Sequence, residues 1–215
     1  NRIRVSFFHD ILCGYCSITA ARLRVLRQEF GDTLEITLRP YPLRPEDSLP
    51  DAKALRRIAR HVKLASREPE GRGMVADIWR GDDPPRSSMP PLLAAEAALL
   101  QGAEAQDALI SRLRSAAFYG GINITRRDVL LETASSLGLD MGRFTAAFDA
   151  RATARSVELS LIDAIQHGVR AVPAVVIGDD WLLTGVRPLD EYRDVLLRWL
   201  GRRASAGRPQ DPRPQ

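Results

Sequence analysis

Residues 3–39, IRVSFFHDILCGYCSITAARLRVLRQEFGDTLEITLR, decide the fold. The run over 3–9 is rich in β-branched and aromatic residues and predicts a strand. Residues 17–30 predict a helix, with Ile18, Ala21, Leu23, Val25, Leu26 and Phe30 near helical spacing among Arg22, Arg24 and Arg27, and Gly31 to close it. Residues 34–39 alternate cleanly between apolar and polar and predict a second strand. A strand, a helix and a strand so joined imply parallel strands and a right-handed crossover.

Two cysteines, Cys13 and Cys16, sit three apart where the first strand hands over to the helix. That spacing can close a small disulfide, with Cα atoms near the preferred separation of about 5.5–6 Å. Cys13 stands at the helix N-terminus, where unpaired backbone N–H groups and the macrodipole favour an anion. An ordinary thiol ionises near pH 8.5, and such surroundings lower that to roughly 3.5–7.5. Cys13 is therefore expected to attack, and Cys16, one turn in and more buried, to resolve. The intervening Gly14-Tyr15 supplies neither a positive charge nor a proline. A structural zinc site would need two further ligands, and the three histidines, His9, His61 and His167, have no paired spacing, so no metal is expected. Two inert buried cysteines would have no reason to fall three apart at such a junction.

After the second strand the character changes. Pro40, Pro42, Pro45 and Pro50 punctuate a loop, and helical patterns follow near 52–67, 91–102, 105–119, 126–137, 141–149 and 152–167. The stretch Glu68 to Pro91, with three Gly and five Pro, predicts a long loop. Thr125 with Asp128 resembles an N-cap with an acidic first turn, and Leu139-Asp140 precedes another helix start. Strand character returns at 174–177, a Gly178-Asp179-Asp180 turn leads to a partner strand at 181–184, and a helix near 189–200 carries Leu189, Tyr192, Val195, Leu196 and Trp199 on one face. From Gly201 the composition turns to Arg, Pro, Gly and Gln, which predicts a flexible tail.

The 215 residues are 45% hydrophobic, enough for a sizeable core, and no run of about eighteen apolar residues exists to span a membrane. Formal net charge is +4, and Lys53 and Lys63 are the only lysines. The arginines are interspersed with Asp and Glu rather than gathered in the patch a nucleic-acid footprint needs, so neither nucleic acid nor membrane is an expected partner. Two cysteines at close spacing do not make a disulfide-stapled scaffold. The apolar stretch Val5 to Leu12 contains His9 and Asp10 and lacks a small-residue cleavage site, so it is not a signal peptide and the cytoplasm is expected. The chain starts without Met, which leaves an earlier leader open.

The other end carries Gly168-Val169-Arg170-Ala171-Val172-Pro173-Ala174. On spacing alone a proline at a strand start is ordinary and its bond trans. Taken with Phe8-His9-Asp10-Ile11-Leu12-Cys13-Gly14-Tyr15-Cys16, this segment resembles the DsbA-like thioredoxin family, nearest its cytoplasmic FrnE-like branch, which is related to 2-hydroxychromene-2-carboxylate isomerases. Pro45, the segment Ser88 to Gln101, Leu139-Asp140 before Phe144, and Gly185-Val186-Arg187-Pro188 extend the resemblance over about residues 3–200. It implies an α/β thioredoxin fold with a helical insertion between the βαβ and ββα halves. Residues 1–45 and 168–200 would form the thioredoxin-fold domain, 46–167 the insertion and 201–215 the tail. It also implies a cis Val172-Pro173 bond lying against the disulfide, and substrate contacts from Gly14, Tyr15, Val172 and Pro173.

FrnE-like members usually carry Pro-Trp between the cysteines, where this chain has Gly-Tyr, and the chromene-carboxylate isomerases usually have Ser at the Cys13 position. Retention of both cysteines favours dithiol redox chemistry without a cofactor, exchanging with cysteine-containing proteins or small thiols and recycled by glutathione or a thioredoxin-type partner. A glutathione-dependent isomerase and a non-catalytic chaperone module are the rival readings. Asp10, three residues before Cys13, reads either as a solvated loop residue or as a proton relay to the resolving thiol, and His9 is open in the same way. His61 and His167 read as surface residues, and Trp79, Trp181 and Trp199 as packing residues. Arg170 would raise the local potential if it faces the thiols.

Overall fold

A computed structural model describes residues 2–178 and 180–206. Its sheet has the order β2-β1-β3-β4, with β1 (Ile3–His9), β2 (Leu34–Pro40), β3 (Ala174–Ile177) and β4 (Trp181–Thr184). β1 and β2 run parallel, from Ile3 opposite Leu34 to His9 opposite Pro40. β3 runs antiparallel to β1, with Phe8 opposite Ala174, and β4 closes the sheet antiparallel to β3. The helix between the parallel strands is α1 (Gly14–Phe30). Between the halves lie α2 (Ala52–Ala65), α3 (Met89–Leu99), α4 (Ala103–Gly120), α5 (Arg127–Ser136), α6 (Met141–Phe148) and α7 (Arg151–Gln166), and α8 (Leu189–Ala206) ends the described chain.

Side-chain alternation along the strands divides the core. Ile3, Val5 and Phe7 of β1, with Val175 and Ile177 of β3, face Leu23 and Leu26 of α1 and Tyr192, Val195 and Leu196 of α8. Phe8, Ala174 and Val176 face the other way, onto Ala164 and Val169 at the end of α7. A further cluster fills the helical part around Leu92, Leu109, Leu113, Phe118, Leu130 and Phe144, and it also takes in Ile11, Leu12 and Ile18 beside the cysteines.

Several expectations need correction. α1 opens at Gly14 rather than 17, because Cys13 caps it, and Val25 lies on its exposed side. α3 starts at Met89, since the first turn of a helix leaves N–H groups unpaired anyway and so tolerates Pro90 and Pro91. The cap residue of α5 is Arg126, and Thr125 bonds back to Asn123 instead of capping. Asp140 does cap α6, accepting the Arg143 amide. α8 runs on to Ala206, through the first six residues of the expected tail. Residues 207–215 of that tail, and Asp179 of the expected turn, lie outside the described residues.

The long loop holds two short 3-10 turns, Pro69–Gly71 and Asp77–Trp79. The first is anchored by Arg22 of α1, which donates to Glu70 through Nε and Nη2 at 2.9 Å each and to Glu68 at 2.6 Å. The same guanidinium donates to the Arg187 carbonyl at 2.7 Å. One half-buried ion cluster thus ties the insertion to α1 and to the segment before α8. Gly71 lets this loop close: a Cβ there would stand 2.2 Å from the Ala65 carbonyl oxygen.

Candidate active site

β1 delivers the chain into a short bend, and α1 begins immediately after it. Cys13 is the N-cap residue of α1, with extended φ and ψ of −94° and 111°. Its Sγ accepts the Cys16 amide at 3.2 Å, filling the place that a Ser or Asp oxygen takes in an ordinary N-cap. Both thiols are free, and Cys13 is 8% exposed against 0% for Cys16. Burial pushes the Cys16 thiol well up, and its hydrogen bond with Cys13 and any charge there add to this, while Arg114 and the Asp10 backbone pull the other way. The pair is therefore asymmetric: one sulfur sits at the helix mouth, the other under it.

The bend is held from inside. Asp10, expected as a solvated loop residue, is fully buried. Its two carboxylate oxygens accept the amides of Leu12 and Leu43, each at 2.8 Å. Burial raises its pKa, opposed by the Ser88 hydroxyl, those two amides and Arg114. Both oxygens are thus occupied in fastening the bend to the loop after β2, and the relay reading draws no support from this arrangement. His9 is also buried, and its pKa is lowered well below the usual value by burial and by Arg114, so its ring is neutral. Arg114 Nη2 lies 3.2 Å from His9 Nδ1. A guanidinium only donates, so Nδ1 accepts and Nε2 carries the proton.

The remaining expected site residues fall around this centre in different ways. Gly14 is buried, and a Cβ there would meet the Ala65 Cβ at 3.3 Å, so it serves the close approach of α2 rather than facing outward. Tyr15 is half-buried and packs between the two larger core clusters, with the His61 ring 6.5 Å away. Val172 packs on the cluster that includes Cys13 and Cys16. The Val172–Pro173 peptide is cis, as the resemblance implies, and Pro173 is buried with its carbonyl accepting the Gly185 amide at 2.8 Å. The backbone N–H and C=O of Val172 make no hydrogen bond among the described residues. Arg170 is exposed and is not among the charges that act on Cys16. His61 is exposed on α2, His167 pairs with Asp163 on α7, and among the described residues no three His, Cys, Asp or Glu side chains gather as a metal site.

The sequence reading passed over Arg114. The signal was present: Ile110, Leu113, Ala117 and Phe118 make the buried face of α4, and Arg114 lies on that face rather than opposite it. Arg22 breaks the buried stripe of α1 in the same manner.

A strand–cysteine–helix junction beside a cis-proline loop is matched by a family model, the DSBA-like thioredoxin domain, over residues 4–197. The chain belongs to that family. Among curated proteins, the DSBA-like chain is 28% identical over 211 residues to the ClpXP adapter protein SpxH of Halalkalibacterium halodurans, covering 93% of this chain and 68% of that one. Among solved structures, it superposes on a putative protein disulfide isomerase from Nitrosomonas europaea with a TM-score of 0.81 at 19% identity, over 94% and 99% of the two chains. The cytosolic disulfide reductase DsbM from Pseudomonas aeruginosa gives 0.73 at 22%, over 92% and 98%. A 2-hydroxychromene-2-carboxylate isomerase gives 0.68 at 19%, over 95% and 100%. At such identities the structural likeness establishes the DSBA-like fold. The family as a whole points to thiol–disulfide oxidoreductases. No helix among the described residues is long and apolar enough to cross a membrane.

Proposed function

We propose that the chain exchanges disulfides through Cys13 and Cys16, with Cys13 as nucleophile and Cys16 as resolving thiol. The observation that carries this reading is the capping geometry: Cys13 Sγ sits on the N-terminus of α1, accepting the Cys16 amide, with Cys16 wholly buried behind it. The thiolate is the reactive form of a cysteine, and helix N-termini favour it. In the reductive direction the Cys13 thiolate attacks one sulfur of a substrate disulfide, forms a mixed disulfide and expels the other sulfur as a thiolate. Cys16 then loses its proton and attacks the Cys13 sulfur, which releases the second substrate thiolate and leaves the Cys13–Cys16 disulfide. The steps reverse when a substrate dithiol is oxidised.

The unpaired backbone of Val172 suits an extended substrate segment laid beside Cys13, held by main-chain bonds with little sequence preference. Tyr15 and Pro173 flank that path in this reading. We place residues 1–45 and 168–200 in the thioredoxin unit and 46–167 in the insertion, with Gly14 under Ala65 as one seam between them. Electrons come from or go to protein cysteines or small thiols, and glutathione or a thioredoxin-type protein restores the pair without a cofactor. A cytoplasmic, FrnE-like setting is supported by the single close pair of cysteines and by the likeness to a cytosolic reductase. The SpxH relative favours protein substrates over small ones and keeps a protein-binding role in view.

The test is trapping. Cys16→Ser should accumulate mixed disulfides with a cysteine-containing peptide or with glutathione, because the releasing thiol is gone, and Cys13→Ser should accumulate few, as read by non-reducing mass spectrometry. Equal adduct levels in the two variants would overturn the division of roles. Partner binding unchanged in a variant lacking both cysteines would favour the binding-module reading.

A further inference from the structure

Arg114 is one of the most deeply placed charges in the molecule, 6% exposed on α4 and aimed at the end of β1. Its Nη2 donates to a neutral imidazole, His9 Nδ1, at 3.2 Å, and among the described residues its buried Nε has no partner. It makes no ion pair among the described residues. Asp10, the buried carboxylate near it, spends both oxygens on the Leu12 and Leu43 amides. Asp107, on the same helix, is 43% exposed and leans on Arg24 at 3.9 Å. A guanidinium taken out of water is costly unless negative charge stands nearby. Arg114 lines a cleft together with Ser17 and Ala20 of the first turns of α1, next to Cys16, and the charges of Cys16, Cys13, Asp10 and Asp107 all act on it.

We propose that Arg114 is the internal counter-charge of the Cys13–Cys16 pair, a positioning residue from the helical insertion that stabilises the reduced, ionised pair and so makes the disulfide a stronger oxidant. The inference rests on the redox reading above. Reduction by two glutathione molecules turns the Cys13–Cys16 disulfide into one thiolate and one thiol, releases glutathione disulfide and frees one proton. The disulfide carries no charge for Arg114 to attract, whereas the reduced pair does. Arg114 therefore acts on one side of the equilibrium only. A guanidinium that merely filled space between α1, α4 and β1 would stabilise both sides alike.

The experiment equilibrates the full chain in glutathione redox buffers at pH 7 and reads the reduced fraction by thiol alkylation and mass. Arg114→Met should shift the equilibrium toward the disulfide by about tenfold, equivalent to about 30 mV. Arg114→Gln, which keeps N–H donors for His9 and removes only the charge, should shift it similarly and decides the matter should the methionine variant not fold. Arg114→Lys should stay near the wild type. Melting of each oxidised and reduced protein is the companion readout: the neutral variants should lower the reduced protein's midpoint more than the oxidised protein's. Variants that coincide with the wild type within twofold, a lysine variant shifted as far as the glutamine one, or midpoints lowered equally in both redox states would overturn the proposal. A wild-type chain that forms no Cys13–Cys16 disulfide in these buffers would instead overturn the redox reading beneath it.

Discussion

Replacing Asp10 tests whether the bend before Cys13 is fastened by two hydrogen bonds. Asp10 is fully buried, and its separate oxygens each take one buried amide at 2.8 Å, from Leu12 on its own bend and from Leu43 on the loop after β2. Asp10→Ala strips both amides of their acceptor. A buried polar group left unpaired costs about 1–3 kcal/mol, so two cost about 2–6 kcal/mol together. Asp10→Asn keeps one oxygen, satisfies one amide and turns an NH2 toward the other, so it should lose about 1–3 kcal/mol. Urea unfolding of the reduced proteins followed by circular dichroism reads both losses, and the alkylation rate of Cys13 in the folded variants reads the loosened bend.

The pH dependence gives a second check on Asp10. Its carboxyl is raised from the ordinary 3.8 chiefly by burial. Between that value and the higher native one the unfolded chain ionises first, so this group's contribution to stability falls as the pH rises through the window. Asparagine lacks the effect, so the gap between wild type and Asp10→Asn should be widest at the acid end and narrow upward. An Asp10→Ala variant within 1 kcal/mol of wild type, or an Asn variant as damaged as the Ala one, would refute the fastening argument.

Arg22→Met should cost about 2–3 kcal/mol, less than a fully buried cluster would, because Glu70 and Glu68 are 27% and 39% exposed. Hydrogen bonds from Arg22 hold the Glu70 carboxyl below its ordinary 4.5, so this stabilisation is in force above that pH and fades as the pH falls through the lower native value, and acid titration of the variant should lack that fade. Gly71→Ala should cost about 1–3 kcal/mol or more, since its Cβ would stand 2.2 Å from a backbone carbonyl that cannot swing aside, and a thermal midpoint equal to wild type would refute the close packing.

What the sequence disclosed and what it withheld divide along the range of the forces involved. β1, β3 and β4 begin and end where β-branched and aromatic content and the flanking turn residues predict, because strand patterning is written residue by residue. The placement of Cys13 and Cys16 at a strand–helix junction was legible for the same reason: strand, bend and helix lie within one local stretch. Helix ends drifted by a few residues wherever a cap or a proline decided them, as at Met89, Arg126 and Ala206. The cis bond before Pro173 came through family resemblance alone, since position at a strand start implies trans.

Asp10, Arg22 and Arg114 mark where local reading stops. Asp10 is buried because an amide 33 positions later folds onto it, and Arg22 because two carboxylates 46 and 48 positions away converge on it. No local pattern reports such closures. Each arginine does leave a trace, however, as a charge on the apolar face of a helix that would cost stability unless something distant answers it. For Arg22 the answer is Glu68 and Glu70, fixed partners that hold the insertion against the thioredoxin unit. Arg114 makes no ion pair among the described residues, and the groups we propose it serves, Cys13 and Cys16, change charge with their redox state. That difference separates a cation that fastens the structure from one whose effect should appear only when the two cysteines are reduced.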